Sequence, residues 1–208
     1  ARVVALTFDD GPWDETTAEV LDLLRTHQLR ATFFVVGREA STYPDALRAI
    51  VAAGHEVGNH TWTHRRLLGM SQATLASEVE RTDAVIRDAQ YPGPILFRPP
   101  HGKRLLDASY YLAHHDRLAI MWDVQPDSER GIADDPAAMT RHLMQHVKPG
   151  AIVLMHVLHP ARTASRTALP AMIEALKHTG YRFVTVSELL ALEPQHMAEA
   201  TSVHLWNH

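Results

Sequence analysis

The sequence predicts an α/β fold built on a parallel β-sheet, which is either closed into a barrel or left open. Short apolar runs that favour β-strands alternate along the chain with longer segments whose apolar residues recur at helical spacing. Seven strand–helix units follow one another in the 208 residues without a change in composition, which is typical of one α/β domain. We therefore expect a single domain over residues 1–193 and a C-terminal tail over residues 194–208.

The predicted strands are short apolar runs bounded by polar or turn-forming residues. In chain order they are Val3–Phe8, Ala31–Val36, Glu56–Asn59, Ile95–Phe97, Leu118–Met121, Ala151–Met155 and Phe183–Val186. The catalytic groups of parallel α/β barrels lie at the carboxyl ends of the strands. Functional residues are therefore expected in the segments that follow strands, namely 9–15, 60–70, 98–104, 123–135 and 156–166.

The predicted helices are amphipathic segments between these strands. The clearest is Ser71–Asp88, where buried-type residues recur at steps of four, three and four behind a Ser71 N-cap. Another helix is expected to begin at Asp135-Pro136, because a capping carboxylate precedes a proline there. The other predicted helices contain apolar residues at helical spacing within Val20–Leu24, Leu47–Val51, Leu105–His114, Leu169–Leu176 and Ser187–Leu192.

The composition argues against several classes of function. The net charge is −4 and no basic stripe is visible, so nucleic-acid binding is not expected. The chain has no cysteine, which excludes disulfides and thiolate metal sites. No run approaches the roughly 18 to 20 apolar residues that a membrane-spanning helix requires. Of the 15 histidines, only a few can be metal ligands.

The first strand ends in two adjacent carboxylates, Asp9 and Asp10, and a Gly11-Pro12 turn follows. Adjacent side chains on an extended segment point to opposite faces, so the two carboxylates cannot do the same job. The turn lets the chain depart from this alternation and direct both carboxylates into one cleft. Two like charges this close require a nearby cation, or one carboxyl must stay protonated.

Two histidines, His60 and His64, directly follow the third predicted strand. On a helical turn a spacing of four places both imidazoles on one face, where they can share a cation. Two neutral imidazoles and one carboxylate with open positions are typical of a hydrolytic metal site, so we expect one divalent ion. Zinc is the expected ion, and cobalt, nickel or manganese would also suit these ligands. An isolated pair of this kind could equally be two histidines in a polar loop.

Three more polar groups follow later strands. Arg98 ends the fourth strand and can pair with a carboxylate, or it can be a surface arginine beside a rigid turn. His156 ends the sixth strand and suits a general acid if it faces the metal, because its charge can change near neutral pH. Asp123 and Asp127 could each orient His156. We favour Asp127, because it lies far enough into its loop to turn back over the sheet.

Four ordered motifs resemble those of the polysaccharide deacetylases, carbohydrate esterase family four. The motifs are Thr7-Phe8-Asp9-Asp10-Gly11-Pro12, His60-Thr61-Trp62-Thr63-His64, Arg98-Pro99-Pro100-His101-Gly102 and Leu154-Met155-His156. The ending Gly180–Val186 is similar to the same family, so the resemblance covers roughly residues 3–192. It implies a distorted seven-stranded β/α barrel, similar to a TIM barrel.

The resemblance also implies a role for each motif residue. Asp9 would be the general base, and Arg98 would hold it in place. Asp10 would bind the metal ion together with His60 and His64.

The acid and the substrate-binding residues follow from the same resemblance. His156 would be the general acid, with Asp127 as its supporting carboxylate and Asp123 in reserve. The residues expected at the substrate are Pro100, His101, Leu154 and Trp122. Among these, Leu154 would line the pocket for the acetyl methyl group, and the backbone N–H near His101 would serve the oxyanion.

The chain departs from the family pattern in three places. His101 stands where the family usually has tyrosine. A further family motif usually ends in Asp-Trp, whereas the corresponding stretch here runs Pro126-Asp127-Ser128-Glu129 with no tryptophan, which puts the identity of the substrate in question more than the type of reaction. Val157 replaces the usual aspartate after His156 and leads into a longer loop, Leu158–Arg166.

These features predict a metal-dependent enzyme that hydrolyses N-acetyl groups of an amino-sugar glycan, chitin-like or peptidoglycan-like, and releases acetate. One alternative is a related amidohydrolase that acts on a small non-sugar amide, and another is a catalytically weak glycan-binding homologue. Wide, aromatic-lined access to the metal would favour the glycan, and a closed cleft would favour the small amide. An extracellular, periplasmic or cell-wall location is expected, with the cytoplasm left open and the oligomeric state not predicted.

Overall fold

The computed structural model describes residues 2–102 and 111–192 of the chain. The strands are β1 Val3–Asp9, β2 Thr32–Val35, β3 Glu56–Asn59, β4 Ala151–Met155 and β5 Arg182–Phe183. The helices are α1 Asp14–His27, α2 Gly37–Thr42, α3 Pro44–Ala52, α4 Gln72–Asp88, α5 Pro136–His146, α6 Thr163–His178 and α7 Val186–Leu192. Short 3-10 turns cover Pro100–Gly102 and Pro126–Ser128. The predicted tail, residues 194–208, lies outside the described residues.

The strands form one parallel sheet, which confirms the predicted α/β class. The order is β3-β2-β1-β4, and β5 pairs with the beginning of β1. In the register of β1 and β4, Thr7 lies opposite Leu154. Single parallel bridges link the remaining segments in the described part of the chain: Asn59 to Phe97, Phe97 to Ala119, and Val124 to Val153. Backbone pairing therefore continues from β3 to β4 through isolated residues.

Seven strands were expected, and the described residues contain five. The predicted strands Ile95–Phe97 and Leu118–Met121 are reduced to bridges at Phe97 and Ala119. Pro94 and Pro99 bracket the first of these segments, and neither can donate a ladder hydrogen bond, so pairing there stays short.

The prediction of the last strand, Phe183–Val186, is wrong at its C-terminal end. The strand covers Arg182–Phe183, and helix α7 already begins at Val186. The backbone N–H of Thr185 donates to Glu188 at 2.9 Å, and the N–H of Glu188 donates to the Thr185 hydroxyl at 3.3 Å. This reciprocal cap starts a helix where the apolar pattern alone predicted more strand.

Alternation along β1 separates two apolar layers. Val4, Leu6 and Phe8 belong to the main core between the sheet and the helices. Val3 and Ala5 face the other side, where they pack with a smaller cluster that includes residues of α7. Thr7 and Asp9 lie further along the same side of β1 as Val3 and Ala5, which we call the inner face of the sheet, and both are buried. The polar end of the inner face is where the candidate site lies.

Most of the predicted helices are found, with corrected ends. The Ser71 hydroxyl accepts from the N–H of Thr74 at 3.1 Å, and Asp135 accepts from two N–H groups of α5, so both predicted caps are confirmed. Helix α2 was not predicted. Helix α6 begins at Thr163, so the last residues of the predicted loop Leu158–Arg166 are its first turn. Much of the predicted helix Leu105–His114 lies outside the described residues.

Candidate active site

Asp9 lies at the end of β1 in a buried ion pair with Arg98. Nη1 of Arg98 donates to Oδ1 of Asp9 at 2.7 Å, and the two side chains are 0% and 3% exposed. Nε and Nη2 of Arg98 donate to the backbone carbonyls of Ile120 and Met121. Burial lowers the pKa of Arg98 and the nearby Asp9 opposes this shift, and an arginine stays protonated throughout. The guanidinium donates four hydrogen bonds in all, the fourth to the Thr7 hydroxyl. Because these bonds hold Arg98 in place, its contact with Oδ1 fixes the orientation of the Asp9 carboxylate.

A left-handed turn directs the Asp10 carboxylate into the same cleft as Asp9. Asp10 and Gly11 have φ values of 72° and 67°, a region that aspartate tolerates better than most residues and glycine adopts freely. Oδ1 of Asp10 then lies 3.4 Å from Nε2 of His64. The departure from strand alternation that the Asp-Asp-Gly-Pro sequence predicts is therefore present.

His60 is buried and held in one tautomer. Its Nδ1 lies 2.7 Å from the carbonyl oxygen of Arg98, which can only accept, so Nδ1 carries the proton. Its Nε2, which is then free to bind a cation, lies 3.5 Å from Oδ2 of Asp9. Burial lowers the pKa of His60 despite the neighbouring carboxylates Asp9 and Asp10, and this favours the neutral imidazole that metals bind.

His64 reaches the site by a different route from the one predicted. Residues 60–64 form no helical turn, and both Thr61 and His64 have left-handed backbones, with φ values of 68° and 57°. The expectation of a helical turn is therefore wrong. The two imidazoles nevertheless lie with ring centroids 4.8 Å apart, because the loop folds back towards Asp10.

The three side chains Asp10, His60 and His64 are arranged so that they could hold a metal ion. One ligand atom from each lies within 4.8 Å of the others. Two imidazole nitrogens and one carboxylate leave coordination positions open for water or substrate, as in catalytic zinc sites. Asp10 suits the ligand role better than Asp9, because the negative charge of Asp9 is already balanced by its ion pair with Arg98.

His156 is paired with Asp127. Its Nδ1 lies 3.2 Å from Oδ1 of Asp127, and its backbone N–H donates to Oδ2 at 2.6 Å. Burial acts to lower the pKa of His156, but hydrogen bonding and the charge of Asp127 outweigh it, and the pKa is raised. Burial acts to raise the pKa of Asp127, and the hydrogen bonds from His156 and Ser165 outweigh that effect, so this pKa is lowered. The pair favours a protonated imidazole beside an ionised carboxylate.

Asp123 occupies a different place from Asp127. Its Oδ2 accepts from the backbone N–H of Ile152 in β4 at 2.8 Å, and its own N–H donates to the Ile152 carbonyl. The carboxylate thereby extends the strand pairing and does not orient His156. Of the two candidates that the sequence left open, the structure places Asp127 beside His156.

Two of the residues expected at the substrate, Leu154 and Trp122, lie close to these side chains or to the elements that carry them. Leu154 lies in register with Thr7, so it shares the inner face of the sheet with Thr7 and Asp9. Trp122 packs against the Pro100–Gly102 turn, where a Cβ on Gly102 would lie 2.5 Å from its ring, and its ring centroid is 5.6 Å from Cζ of Arg98.

The Pro100–Gly102 turn brings His101 close to His64, one of the candidate metal ligands. Pro100 is buried, whereas His101 is exposed with a left-handed φ of 60°. Its ring centroid lies 4.8 Å from that of His64. Desolvation lowers the pKa of His101, and its electrostatic interactions with His64 and Arg66 lower it further.

Two supporting residues had no predicted role. The Thr7 hydroxyl accepts from Nη1 of Arg98 at 2.7 Å and donates to the carbonyl of Val153 at 2.9 Å. Strand alternation could have identified Thr7, because it lies two residues before Asp9. Ser165 is buried in the first turn of α6 and donates to Oδ2 of Asp127 at 3.1 Å. No local pattern in the sequence indicated this long-range contact.

Comparison with known proteins shows the family of the chain. The family model for polysaccharide deacetylases matches residues 1–118. A peptidoglycan-N-acetylglucosamine deacetylase of Bacillus cereus is 34% identical over 190 residues, covering 91% of this chain and 88% of that protein. The chain belongs to the polysaccharide deacetylase family. A second member, the chitooligosaccharide deacetylase of Bradyrhizobium sp., is 35% identical and covers 90% of each chain.

Solved structures of this deacetylase family share the fold. The Xyl-CE4 domain of a multidomain xylanase from the hindgut metagenome of Trinervitermes trinervoides superposes with a TM-score of 0.83 at 32% identity, covering 93% of this chain and 91% of that one. A pseudoenzyme of the family from Bacillus anthracis gives a TM-score of 0.81 at 29% identity, covering 91% of this chain and 65% of that one. Family membership therefore indicates a deacetylase fold, and activity has to be argued from the site residues.

Proposed function

We propose that this protein is a metal-dependent N-deacetylase that releases acetate from an amino-sugar glycan. The observation that supports it most is the convergence of three groups in one cleft. They are the Asp9–Arg98 ion pair, the cluster of Asp10 with the two histidines, and the Asp127–His156 pair.

Asp9 is proposed as the general base. Arg98 fixes one of its oxygens, and Oδ2 faces the side of the cleft where His60 and the other ligands lie. A carboxylate in this position can take a proton from a water molecule that attacks the acetamido carbonyl.

The cation would be held by Asp10, His60 and His64. When bound, a divalent ion supplies Lewis-acid polarisation of the amide carbonyl and makes a nearby water molecule more acidic. Zinc is the proposed ion, and cobalt, nickel or manganese would fit the same nitrogen and oxygen ligands. The backbone N–H at His101 is proposed as a hydrogen-bond donor to the oxyanion that forms on the acetyl oxygen.

His156 is proposed as the general acid. The leaving group is an amine, which must gain a proton as the C–N bond breaks. Asp127 raises the pKa of His156 and orients its ring through Nδ1, so that Nε2 can donate. The proton that Asp9 takes from water and the one that His156 gives to the amine cancel, so one amide and one water yield acetic acid and an amine, which become acetate and an ammonium ion at neutral pH.

An open cavity beside Asp10 supports a glycan over a small amide, because it offers room next to one candidate metal ligand. Its volume is about 640 Å³, and its other lining residues are Ala133, Asp134 and residues of the loop and first turn of α6, among them His159 and Arg162. That volume lies in the range of typical ligand pockets of about 300 to 1,000 Å³, and it exceeds the space that an acetamide alone would fill. Leu154 is proposed at the acetyl methyl group, with Trp122 and Pro100 as further walls.

Two wider proposals accompany this function. The isolated bridges between β3 and β4 support the distorted seven-stranded barrel that the family resemblance implies. An extracellular or cell-wall location is proposed from the names of the bacterial peptidoglycan deacetylases that the chain matches. Among the described residues, no helix combines the length and apolar character needed to cross a bilayer.

The experiment that tests the activity measures acetate release from a panel of substrates. The panel contains chitooligosaccharides, peptidoglycan, acetylated xylan and a small acetamide, each incubated with the zinc-loaded protein. We expect release from an N-acetylated glycan to exceed release from the small acetamide. Preference for the small acetamide would favour the amidohydrolase, and binding to glycans without any release would favour the glycan-binding homologue.

A further inference from the structure

We propose that Glu78 and Asn59 are positioning residues of the metal site. They hold the loop of residues 60–64 in the conformation in which His60 and His64 both face Asp10. The proposal rests on the proposed function in that it assumes these three ligands bind a cation.

The loop requires support because its backbone conformation is unfavourable. Thr61 and His64 are both left-handed, and neither is glycine. For a β-branched residue such as threonine this region is an outlier, which persists only where the surrounding structure enforces it. His64 reaches Asp10 only through this conformation, so whatever enforces it also places a metal ligand.

Glu78 in helix α4 binds the loop directly before His64. Its Oε2 accepts from the backbone N–H of Thr63 at 2.8 Å, and its Oε1 accepts from the Thr63 hydroxyl at 2.8 Å. Glu78 is 8% exposed, so water competes little for these hydrogen bonds. Both oxygens of one carboxylate are therefore engaged by a single loop residue.

Asn59 binds the other end of the loop. Its Oδ1 accepts from the backbone N–H of Thr61 at 2.8 Å. Its amide nitrogen donates to the Val79 carbonyl at 2.8 Å and to Oδ1 of Asp83 at 2.7 Å, so the side chain is tied to α4. Asn59 is fully buried, and its three hydrogen bonds join the strand, the loop and the helix.

The hydrogen bonds of Glu78 to Thr63 and of Asn59 to Thr61 form two clamps on the loop, and both have the same consequence for the metal site. A loop held before binding loses little freedom when the ligands close on an ion, so its metal affinity is higher. A loop released from α4 can leave the left-handed conformation, and His64 then moves away from Asp10. Hydrogen-bonding partners behind the ligands of a metal site typically change its affinity by about 10- to 100-fold.

The test uses Glu78→Leu in the full chain. Leucine has no acceptor oxygen, so it removes both hydrogen bonds from Thr63, whereas a glutamine could still accept from the Thr63 N–H and donate to the Thr63 hydroxyl. Zinc affinity is measured by competition with a chromophoric chelator, and the Tm of the metal-free protein is measured in parallel. We expect the Kd for zinc to rise by about 10- to 100-fold.

The matched control is Asp88→Asn, which removes the same charge from an exposed position on the same helix. Its Kd for zinc should equal that of the parent. A Glu78 with a merely structural role would lower the Tm of the metal-free protein and leave the Kd unchanged. An unchanged Kd in Glu78→Leu overturns the proposal.

A second pair of variants applies if Glu78→Leu does not fold. Thr63→Val removes the hydroxyl that donates to Glu78, and Thr63→Ser keeps it. Weaker zinc binding in Thr63→Val, with the parent Kd in Thr63→Ser, supports the clamp. Equal zinc affinity in the two variants overturns it.

The failure of this proposal can be distinguished from the failure of the proposed function. A parent protein that binds zinc but releases no acetate would refute the deacetylase activity and leave the clamp standing. A parent protein that binds no zinc would overturn both.

Discussion

Asp9 and Asp10 are neighbours in the chain, yet their surroundings differ. Asp9 is almost fully buried against Arg98, whereas Asp10 is 19% exposed and lies beside His64. A positive guanidinium beside Asp9 disfavours a second cation on the same carboxylate, and no such competitor is paired with Asp10 among the described residues. This difference is why we propose proton transfer by Asp9 and metal binding by Asp10.

Substitution of each carboxylate by its amide tests this division. Asp9→Asn should keep most of the bound zinc and lose about 10²- to 10⁴-fold in turnover, because proton transfer is lost. Asp10→Asn should lose most of the zinc. Metal content by elemental analysis and acetate release are measured on the same samples. Equal loss of metal in both variants would contradict the assignment.

The Asp127–His156 pair makes the pH dependence predictable. His156 must carry a proton to act as an acid, so activity falls as pH rises through its pKa. Asp127 raises that pKa, and its removal should therefore move the basic limb of the pH–rate profile to lower pH.

The measurement compares Asp127→Asn with Asp123→Asn over the full pH range. Asp123 bonds to the backbone of Ile152, so its substitution should leave the basic limb in place. A basic limb that moves in Asp123→Asn and stays fixed in Asp127→Asn would reverse the roles.

At the scale of secondary-structure elements, the sequence predicted the continuously paired strands well, the four-residue β3 included, and the segments that pair through isolated bridges poorly. The apolar runs at β1 and β4 were placed to within a residue, because each is a continuous buried segment. The segment around Phe97 lies between prolines and pairs through single residues, so its apolar pattern overstated the strand. Helix α2 has only six residues, too few to show a helical apolar period.

The site was predictable where its residues end strands, and less so where loops carry them. Asp9 and His156 follow directly from strand ends. The backbone of the 60–64 loop was not predictable, since its left-handed residues depend on contacts with α4 that are distant in sequence. The contact of Ser165 with Asp127 spans 38 residues and was missed for the same reason.

The contact between α2 and α4 provides a prediction at this scale. A Cβ on Gly37 would lie 2.4 Å from Oγ1 of Thr82 and 2.6 Å from the ring of Trp62. Gly37→Ala should therefore force α2 away from α4 and destabilise the fold by about 1 to 3 kcal/mol. Denaturant unfolding measures the change, with the exposed Ser41→Ala as control. A Gly37→Ala variant as stable as the parent would refute this packing argument.

At the scale of the whole molecule, the sheet brings together residues that are far apart in the sequence. Asp9 ends β1 and Asp10 follows it, His60 and His64 follow β3, and His156 follows β4. All of these strands are parallel, so their carboxyl ends share one edge, and the family's ordered motifs meet there. The central claim is that this edge forms one catalytic centre that requires a metal ion.

The most direct test is the dependence of acetate release on metal content. Protein stripped of metal with a chelator, and verified as metal-free, is assayed on a chitooligosaccharide before and after titration with zinc or cobalt. The account predicts no measurable release from the stripped protein and recovery that saturates at one ion per chain, with no recovery in Asp10→Asn. Full activity in the verified metal-free protein would contradict it.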